Sequence, residues 1–181
     1  MPKRKRAKRP ASKRRPAKRN LKVFVSWSGK VGMKLGTRLR ERLPGIVPNI
    51  QVFFSPTIAP GAVWTKAVER AIQGADYAIL CVTKENLDSR WMNFEAGALW
   101  RARKQSYVCP LLLNLEPGGL SSPYSLFQAR RFNEPEFKDL CKHLASKTRM
   151  DMEQFHRNFE VNWPPLSEGI IRLRRRKKRK P

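Results

Sequence analysis

The stretch Tyr77–Thr83, with the sequence Tyr-Ala-Ile-Leu-Cys-Val-Thr, decides the fold of this chain of 181 residues. It is an almost continuously apolar run of strand length, which is typical of a strand buried on both faces of a sheet. Residues 89–100 (Ser-Arg-Trp-Met-Asn-Phe-Glu-Ala-Gly-Ala-Leu-Trp) follow it closely and indicate a helix, for which Asn86 or Asp88 is a candidate cap. Because neighbouring parallel strands are usually joined through a helix, this stretch predicts an α/β domain.

Strands and helices alternate on both sides of this unit. Apolar runs predict further strands at residues 21–27, 50–54 and 107–114, and a short edge strand at residues 127–132. Apolar residues at helical spacing predict helices at residues 31–43 (ended by Pro44 and Gly45), 62–74, 88–104 and 134–146. Together these elements predict a flavodoxin-like three-layer fold, in which a central parallel sheet of about five strands has helices on both faces.

Positive charge is concentrated at the two ends of the chain. The formal net charge is +25, eleven Lys or Arg residues lie in residues 1–20, and eight of the nine residues 172–180 are Lys or Arg. A segment with so few apolar groups and so much like charge cannot offset the entropy of ordering, so residues 1–20 are predicted to be a disordered basic tail. A folded domain at residues 21–146, a helical extension at residues 147–171 and a second basic tail at residues 172–181 complete the predicted organisation.

The two basic tails are predicted to bind a polyanion, which is nucleic acid, another phosphate-rich surface or an acidic partner. No aromatic residue lies among the cations of either tail. Binding without base stacking would be independent of nucleic-acid sequence and sensitive to salt. The alternative is that the tails are only solvated charge.

The sequence shows no pattern of a membrane span, a secretory signal or a metal site. No apolar run approaches the ~20 residues of a transmembrane helix, and the N-terminus lacks the apolar stretch of a signal peptide, so we expect a cytoplasmic protein. Cys81, Cys109, Cys141, His143 and His156 lack the spacing of metal ligands. Cys81 and Cys109 lie in predicted strands, so we expect them to be buried free thiols.

The predicted helix after Thr83 contains one carboxylate among apolar residues. Trp91 and Glu95 are four positions apart and therefore share one face of that helix. A carboxylate beside an indole, just past the carboxyl end of a parallel strand, is a candidate catalytic pair. The alternative is a surface carboxylate paired with Arg90 or Arg101.

Four segments occur in the order and at the distances of a known domain family. They are residues 23–28 (Val-Phe-Val-Ser-Trp-Ser), residues 53–64 (Phe-Phe-Ser-Pro-Thr-Ile-Ala-Pro-Gly-Ala-Val-Trp), residues 87–99 with the W-x-x-x-E spacing, and residues 110–113 followed by residues 123–132. In this order they resemble a Toll/interleukin receptor (TIR) domain of the prokaryotic kind, over about residues 21–145.

The resemblance implies an enzyme that cleaves the nicotinamide–ribose bond of NAD+, with NAD+ as its substrate and no cofactor. It implies that Glu95 is the catalytic residue and that self-association or contact with other TIR domains, through the loop at residues 55–63, activates the enzyme in defence or signalling. The substrate-binding residues that it implies are Ser26, Trp27, Ser28, Phe54, Ser55 and Trp91.

Two other functions remain open at this point. A TIR domain without activity is a signalling adaptor that binds other TIR domains through the same surfaces. A nucleoside or nucleotide base-transferase on the same fold would also use a carboxylate near the ribose. The sequence leaves open whether NAD+ cleavage gives linear ADP-ribose or a cyclic product.

Overall fold

The structure is a computed structural model that describes residues 20–54, 74–89 and 107–177, without the side chains of Phe54 and of residues 171–177. Most of the predicted helices at residues 62–74 and 88–104 lies outside the described residues. The predicted N-terminal tail also lies outside them, except for Asn20.

The core of the domain is a sheet of five strands, all parallel, in the order β2-β1-β3-β4-β5. This arrangement confirms the predicted flavodoxin-like α/β fold. The strands are β1 (Leu21–Trp27), β2 (Ile50–Phe54), β3 (Tyr77–Thr83), β4 (Tyr107–Leu113) and β5 (Arg130–Arg131).

Successive residues of the strands point to opposite faces of the sheet, and both faces are buried. Val25 and Ile79 belong to one apolar cluster, whereas their neighbours Phe24 and Leu80 belong to a second. All four are fully buried. A strand covered on both faces needs apolar residues at every position, which is why Tyr77–Thr83 has no polar alternation.

Three described helices cover the face that contains Val25. They are α1 (Gly29–Ile46), α2 (Glu134–Thr148) and α3 (Met152–Lys177). Their buried residues, including Leu35, Phe137 and Phe159, form a single cluster with that face of the sheet. Among residues 20–54, 74–89 and 107–177, none of the helices is both long and apolar enough to cross a membrane.

Helix α1 continues past the point where Pro44 and Gly45 were predicted to end it. It includes both residues and ends at Ile46. A proline so near the end of a helix removes only one backbone hydrogen bond. The core compensates for that loss, because Ile46 and Val47 are fully buried and the Val47 N–H donates to the carbonyl of Leu43.

The edge strand predicted at residues 127–132 is reduced to the two residues of β5. A short 3-10 helix, Tyr124–Leu126, precedes it, and the Phe127 N–H donates to the Tyr124 carbonyl at 3.1 Å. The backbone at the start of the predicted strand therefore closes a turn. Pairing with β4 begins only at Arg130.

The parallel strands give the sheet two distinct ends. We call the end where β1, β3 and β4 finish the carboxyl edge, and the end where they start the amino edge. Helix α1 begins at the carboxyl edge, directly after β1, and returns to the amino edge, where β2 begins. Helix α2 likewise follows β5 from the carboxyl edge, so α1 and α2 both run antiparallel to the strands.

Candidate functional site

The carboxyl edge holds the three predicted substrate-binding residues of β1. Ser26 pairs in register with Leu80 of β3, and Trp27 pairs with Cys81. The side chain of Ser26 is fully buried, whereas Trp27 and Ser28 are partly exposed. Ligands of open parallel sheets bind outside the carboxyl ends of the strands, so Trp27 and Ser28 lie where a bound molecule is expected.

Asn86 connects the ends of β1 and β3 through its side-chain amide. Its Oδ1 accepts a hydrogen bond from the Thr83 N–H at 2.7 Å, and its Nδ2 donates to the carbonyls of Ser28 at 2.9 Å and Cys81 at 3.0 Å. The residue is only 1% exposed. Asn86 was one of two candidate helix caps, but in the structure its oxygen closes the turn after β3 instead.

Gly32 makes room for this amide in the first turn of α1. A Cβ atom at position 32 would lie 3.0 Å from Asn86 Nδ2 and 3.6 Å from Trp27 Cβ. The first distance is short enough that the amide would have to shift by a few tenths of an ångström, whereas the second is an ordinary van der Waals contact. Glycine at position 32 therefore leaves the amide undisturbed where α1 passes the turn.

A second contact joins the same two segments at the surface. The hydroxyl groups of Ser89 and Ser28 form a hydrogen bond of 3.1 Å. Ser89 is the last described residue before the segment that contains Trp91 and Glu95. Ser89 itself is therefore held against the loop that carries Ser28.

The remaining predicted site residues are described only in part or not at all. Glu95, Trp91 and Ser55 lie outside the described residues, so their roles stay predictions. Phe54 is the last residue of β2 and pairs in register with Val25, which places its backbone beside the end of β1. Within the described part of the chain, the structure thus brings Ser26, Trp27 and Ser28 to one edge, and it adds Asn86 and Ser89, neither of which was predicted as a site residue.

A protein-family model for the TIR domain matches residues 23–145, which is more than half of the chain. The chain belongs to the TIR domain family. No curated protein matches it significantly. Among solved structures, the TIR domains of the activated Roq1 resistosome, which directly recognises the pathogen effector XopQ, match with 16% sequence identity and a TM-score of 0.43, over 86% of this chain and 98% of that chain.

The matched region of the TIR domain begins within β1 and ends within α2, and it spans every segment on which the resemblance was based. It includes the carboxyl-edge residues Ser26 and Asn86 as well as the undescribed pair Trp91 and Glu95. Helix α3 and both basic tails lie outside the matched region. The prokaryotic character of this TIR domain stays a prediction.

The three cysteines of the TIR domain are free and buried, as predicted for Cys81 and Cys109. Burial raises the pKa of the Cys81 and Cys141 thiols well above their ordinary value, and it raises the pKa of Cys109 to about 12. A thiol that stays protonated is a poor nucleophile. These residues therefore contribute to packing.

A separate groove of about 530 Å³ opens at the amino edge of the TIR domain, on the side away from Ser28. Some of its polar groups have partners within the domain. Arg130 forms an ion pair with Asp139 at 2.9 Å, and the Tyr107 hydroxyl accepts a hydrogen bond from Lys147 Nζ at 3.0 Å. We do not assign the groove a function.

Proposed function

We propose that this TIR domain is a cytoplasmic NAD+ glycohydrolase, which cleaves the nicotinamide–ribose bond and releases nicotinamide with ADP-ribose or a cyclic ADP-ribose product. The observation that carries the proposal is the family match over residues 23–145, because this region contains the W-x-x-x-E spacing of Trp91 and Glu95. The position of Ser26, Trp27 and Ser28 at the carboxyl edge supports it.

In the proposed reaction, the bond between the ribose C1′ and the nicotinamide nitrogen breaks, and nicotinamide leaves with the bonding electron pair. The sugar passes through an oxocarbenium-like state, whose positive charge the Glu95 carboxylate stabilises. Water then adds to C1′ and loses a proton, which gives ADP-ribose. In the cyclic product a nucleophilic atom of the same substrate takes the place of water.

The aromatic residues of the proposed site bind the part of the substrate that leaves. Trp91, with Trp27, forms the wall that receives the planar, cationic pyridinium ring, because an indole face attracts a cation and excludes water. Ser26, Ser28, Phe54 and Ser55 line the rest of the proposed site.

Asn86 and Ser89 support this site by fixing the relative position of its two halves. Their hydrogen bonds to Ser28 join the loop after β1 to the segment that leads to Glu95. Catalysis by positioning depends on small distances, and an error of about 1 Å in the placement of a reacting group costs about 100-fold in rate. Asn86 is therefore a positioning residue in this proposal.

We further propose that the enzyme acts in prokaryotic defence or signalling and that self-association, through the loop at residues 55–63, switches it on. The basic tails bind nucleic acid or another polyanion in this proposal. Their formal charge supports it, since eleven Lys or Arg residues lie in residues 1–20 alone.

Nicotinamide release from NAD+ by the concentrated, crowded protein tests the proposal. We expect release by the wild type and by the control Glu160→Gln, an exposed carboxylate on α3, and a loss of about 100-fold or more in Glu95→Gln. Equal release by Glu95→Gln and wild type would contradict the catalytic role of Glu95. No release by the wild type in any condition, together with binding to other TIR domains, would favour the adaptor.

A further inference from the structure

Helix α3 runs along α1 in the opposite direction, from the amino edge of the sheet towards the carboxyl edge. Asn158 Nδ2 donates to the carbonyl of Ile46, the last residue of α1, at 3.4 Å. Further along, a Cβ atom built at Gly169 would lie 2.9 Å from the Arg38 guanidinium, near the middle of α1. From Asn158 to Gly169 the residue number in α3 rises by eleven, while the number of the contacted residue in α1 falls by eight. The two helices are therefore antiparallel.

The last turns of α3 reach the level of the first turns of α1. From Gly169 to Lys177 the helix advances about 12 Å, and from Arg38 back to Gly29 the distance is about 13 Å, at 1.5 Å per residue. Leu166 and Ile170 are buried against the core, so α3 still packs on the domain beyond the prolines at positions 164 and 165. The helix therefore ends at the carboxyl edge, where the proposed site lies.

Basic residues of both helices occur at this level of the domain. Five of the six residues 172–177 are Arg or Lys, and Lys30 and Lys34 are exposed in the first turns of α1. The first turn of α1 contains no acidic residue. We call residues 172–177, with Lys30 and Lys34, the α1–α3 cationic surface.

Other described charges at this edge do not cancel the surface. The segments that follow β3 and β4, together with the last residue of β5 and the first turn of α2, carry two basic residues, Lys84 and Arg131, and five acidic residues, Glu85, Asp88, Glu116, Glu134 and Glu136. Their formal charges sum to −3. The α1–α3 cationic surface contributes seven positive charges, so an excess of four positive charges remains among these described residues.

The pattern of charge favours a nucleic-acid duplex over a membrane surface as the partner. A helix that lies on a membrane needs an apolar face opposite its cations. Residues 174–177 are all basic, and four consecutive positions at 100° intervals span the whole circumference of a helix. Leu173 is the single apolar residue at positions 172–177, so the sequence of this segment lacks an apolar helical stripe and its composition suits a phosphate backbone instead.

The N-terminal tail joins the domain at the opposite end. Residues 1–19 precede Asn20 and β1, and the Leu21 N–H donates to the carbonyl of Asn49 at the amino edge. The two basic segments of the chain are thus attached at opposite edges of one sheet.

We propose that the α1–α3 cationic surface binds duplex nucleic acid beside the catalytic site and that this contact, not the N-terminal tail, couples nucleic acid to activity. The coupling part rests on the proposed NAD+ cleavage. A duplex that binds several copies of the domain raises their local concentration and orients their carboxyl edges alike, which promotes self-association. Binding through the N-terminal tail adds affinity without that orientation.

Two full-length variants with five charges removed from each region test the proposal. The first is K30Q/K34Q/R174Q/R175Q/R176Q, and its matched control is K3Q/R4Q/K5Q/R6Q/K8Q. We expect both variants to bind duplex DNA with a weaker dependence on salt. The slope of log K against log salt concentration should decrease in magnitude by about 0.9 for each phosphate that the variant no longer neutralises. Only the first is expected to lose the stimulation of nicotinamide release at saturating duplex.

Energy transfer between dyes on the protein and on the duplex locates the bound duplex and does not depend on enzymatic activity. Because the native cysteines are buried, a dye on Met33→Cys of α1 or on Glu153→Cys at the start of α3 labels one position. In the N-terminal charge variant, a duplex that carries an acceptor dye is added. We expect energy transfer to this duplex to be greater from the dye at position 33 than from the dye at position 153. Absence of nicotinamide release in every variant would overturn the proposed NAD+ cleavage. The energy-transfer measurement would still decide where the duplex binds.

Several results would overturn the inference. The first is energy transfer from position 33 that is equal to or smaller than that from position 153. The second is a loss of duplex-stimulated nicotinamide release in the N-terminal variant alone. The third is an unchanged salt dependence of duplex binding in the α1–α3 variant. Anionic lipid vesicles that bind as tightly as the duplex, with the same dependence on the α1–α3 charges, would assign the surface to membranes instead.

Discussion

Asn86 donates a hydrogen bond of 2.9 Å to the backbone carbonyl of Ser28, across 58 positions of sequence. The same amide group closes the turn after β3 through the Thr83 N–H. A single buried side chain thus fixes the loop after β1 relative to the segment that leads to Trp91 and Glu95.

Asn86→Ala is expected to lower the free energy of unfolding by about 1–3 kcal/mol, because it leaves the Thr83 N–H and two carbonyls without their side-chain partner. Chemical denaturation measures the change. Asn20→Ala, at an exposed position, is the control and should change stability by no more than about 0.5 kcal/mol. An unchanged midpoint for Asn86→Ala would mean that its hydrogen bonds are readily replaced by water.

Gly32→Ala should be less well tolerated in the wild type than in the Asn86→Ala background. The new methyl group would lie 3.0 Å from Asn86 Nδ2, and overpacking of this kind costs about 1–3 kcal/mol, partly offset by the ~1 kcal/mol gain in helix propensity. Removing the amide also removes the clash.

A double-mutant cycle measures this coupling, which we expect to be about 1 kcal/mol or more. Gly118→Ala serves as the control, because nothing lies within 4 Å of a Cβ at that position. Additive effects of Gly32→Ala and Asn86→Ala would show that the two residues do not compete for space.

Phe159→Ala is expected to lower the free energy of unfolding by about 3–5 kcal/mol. Its ring is 1% exposed and stacks on Trp163 at 5.7 Å, in the cluster that joins α3 to α2 and the sheet. Val161→Ala, on the same helix but 73% exposed, should have little effect. Similar small effects in both would indicate that α3 does not belong to the cooperative core.

His143 should titrate below the ordinary range of histidine. Burial lowers its pKa, and the neighbouring Lys147 and Arg130 lower it further, whereas Asp139 acts in the opposite direction. The ring also contacts the aromatic rings of Tyr77 and Tyr107. Since the unfolded chain then binds the proton more readily, His143 decreases stability as the pH falls from about 6.5 towards the folded pKa.

An NMR titration of the His143 imidazole checks this direction. In Lys147→Gln the midpoint should rise, because a positive charge beside the ring is removed. In Asp139→Asn it should fall. A wild-type midpoint at or above the value of an unfolded peptide would contradict the assignment.

The strands that form the centre of the fold were predictable from local sequence. Residues 21–27 and 50–54 were predicted as strands, and β1 and β2 have these bounds. A strand that is buried on both faces is apolar along its whole length. Such a run can be recognised in the sequence without knowledge of the tertiary structure. The predicted edge strand at residues 127–132 was too long, because the turn that the Phe127 N–H closes depends on local backbone hydrogen bonds that apolar patterning does not encode.

The candidate site was predictable to a smaller degree. Ser26, Trp27 and Ser28 were predicted from the resemblance to TIR domains, and the end of β1, where they lie, is consistent with that prediction. Asn86 looked like a helix cap, since an asparagine before a helix commonly is one. Its true partners include Ser28, and a hydrogen bond between residues so far apart in sequence leaves no local pattern.

The sequence by itself determined the parallel α/β architecture, the family and the concentration of positive charge at the two ends, because apolar runs, ordered motifs and composition are local properties. The tertiary structure decided that Asn86 joins the loop after β1 to the turn after β3, and that α3 carries its basic end to the carboxyl edge. Both depend on how helices and turns pack against the sheet. Packing brings distant residues together, and that proximity is set only when the apolar surfaces of the whole domain are buried at once.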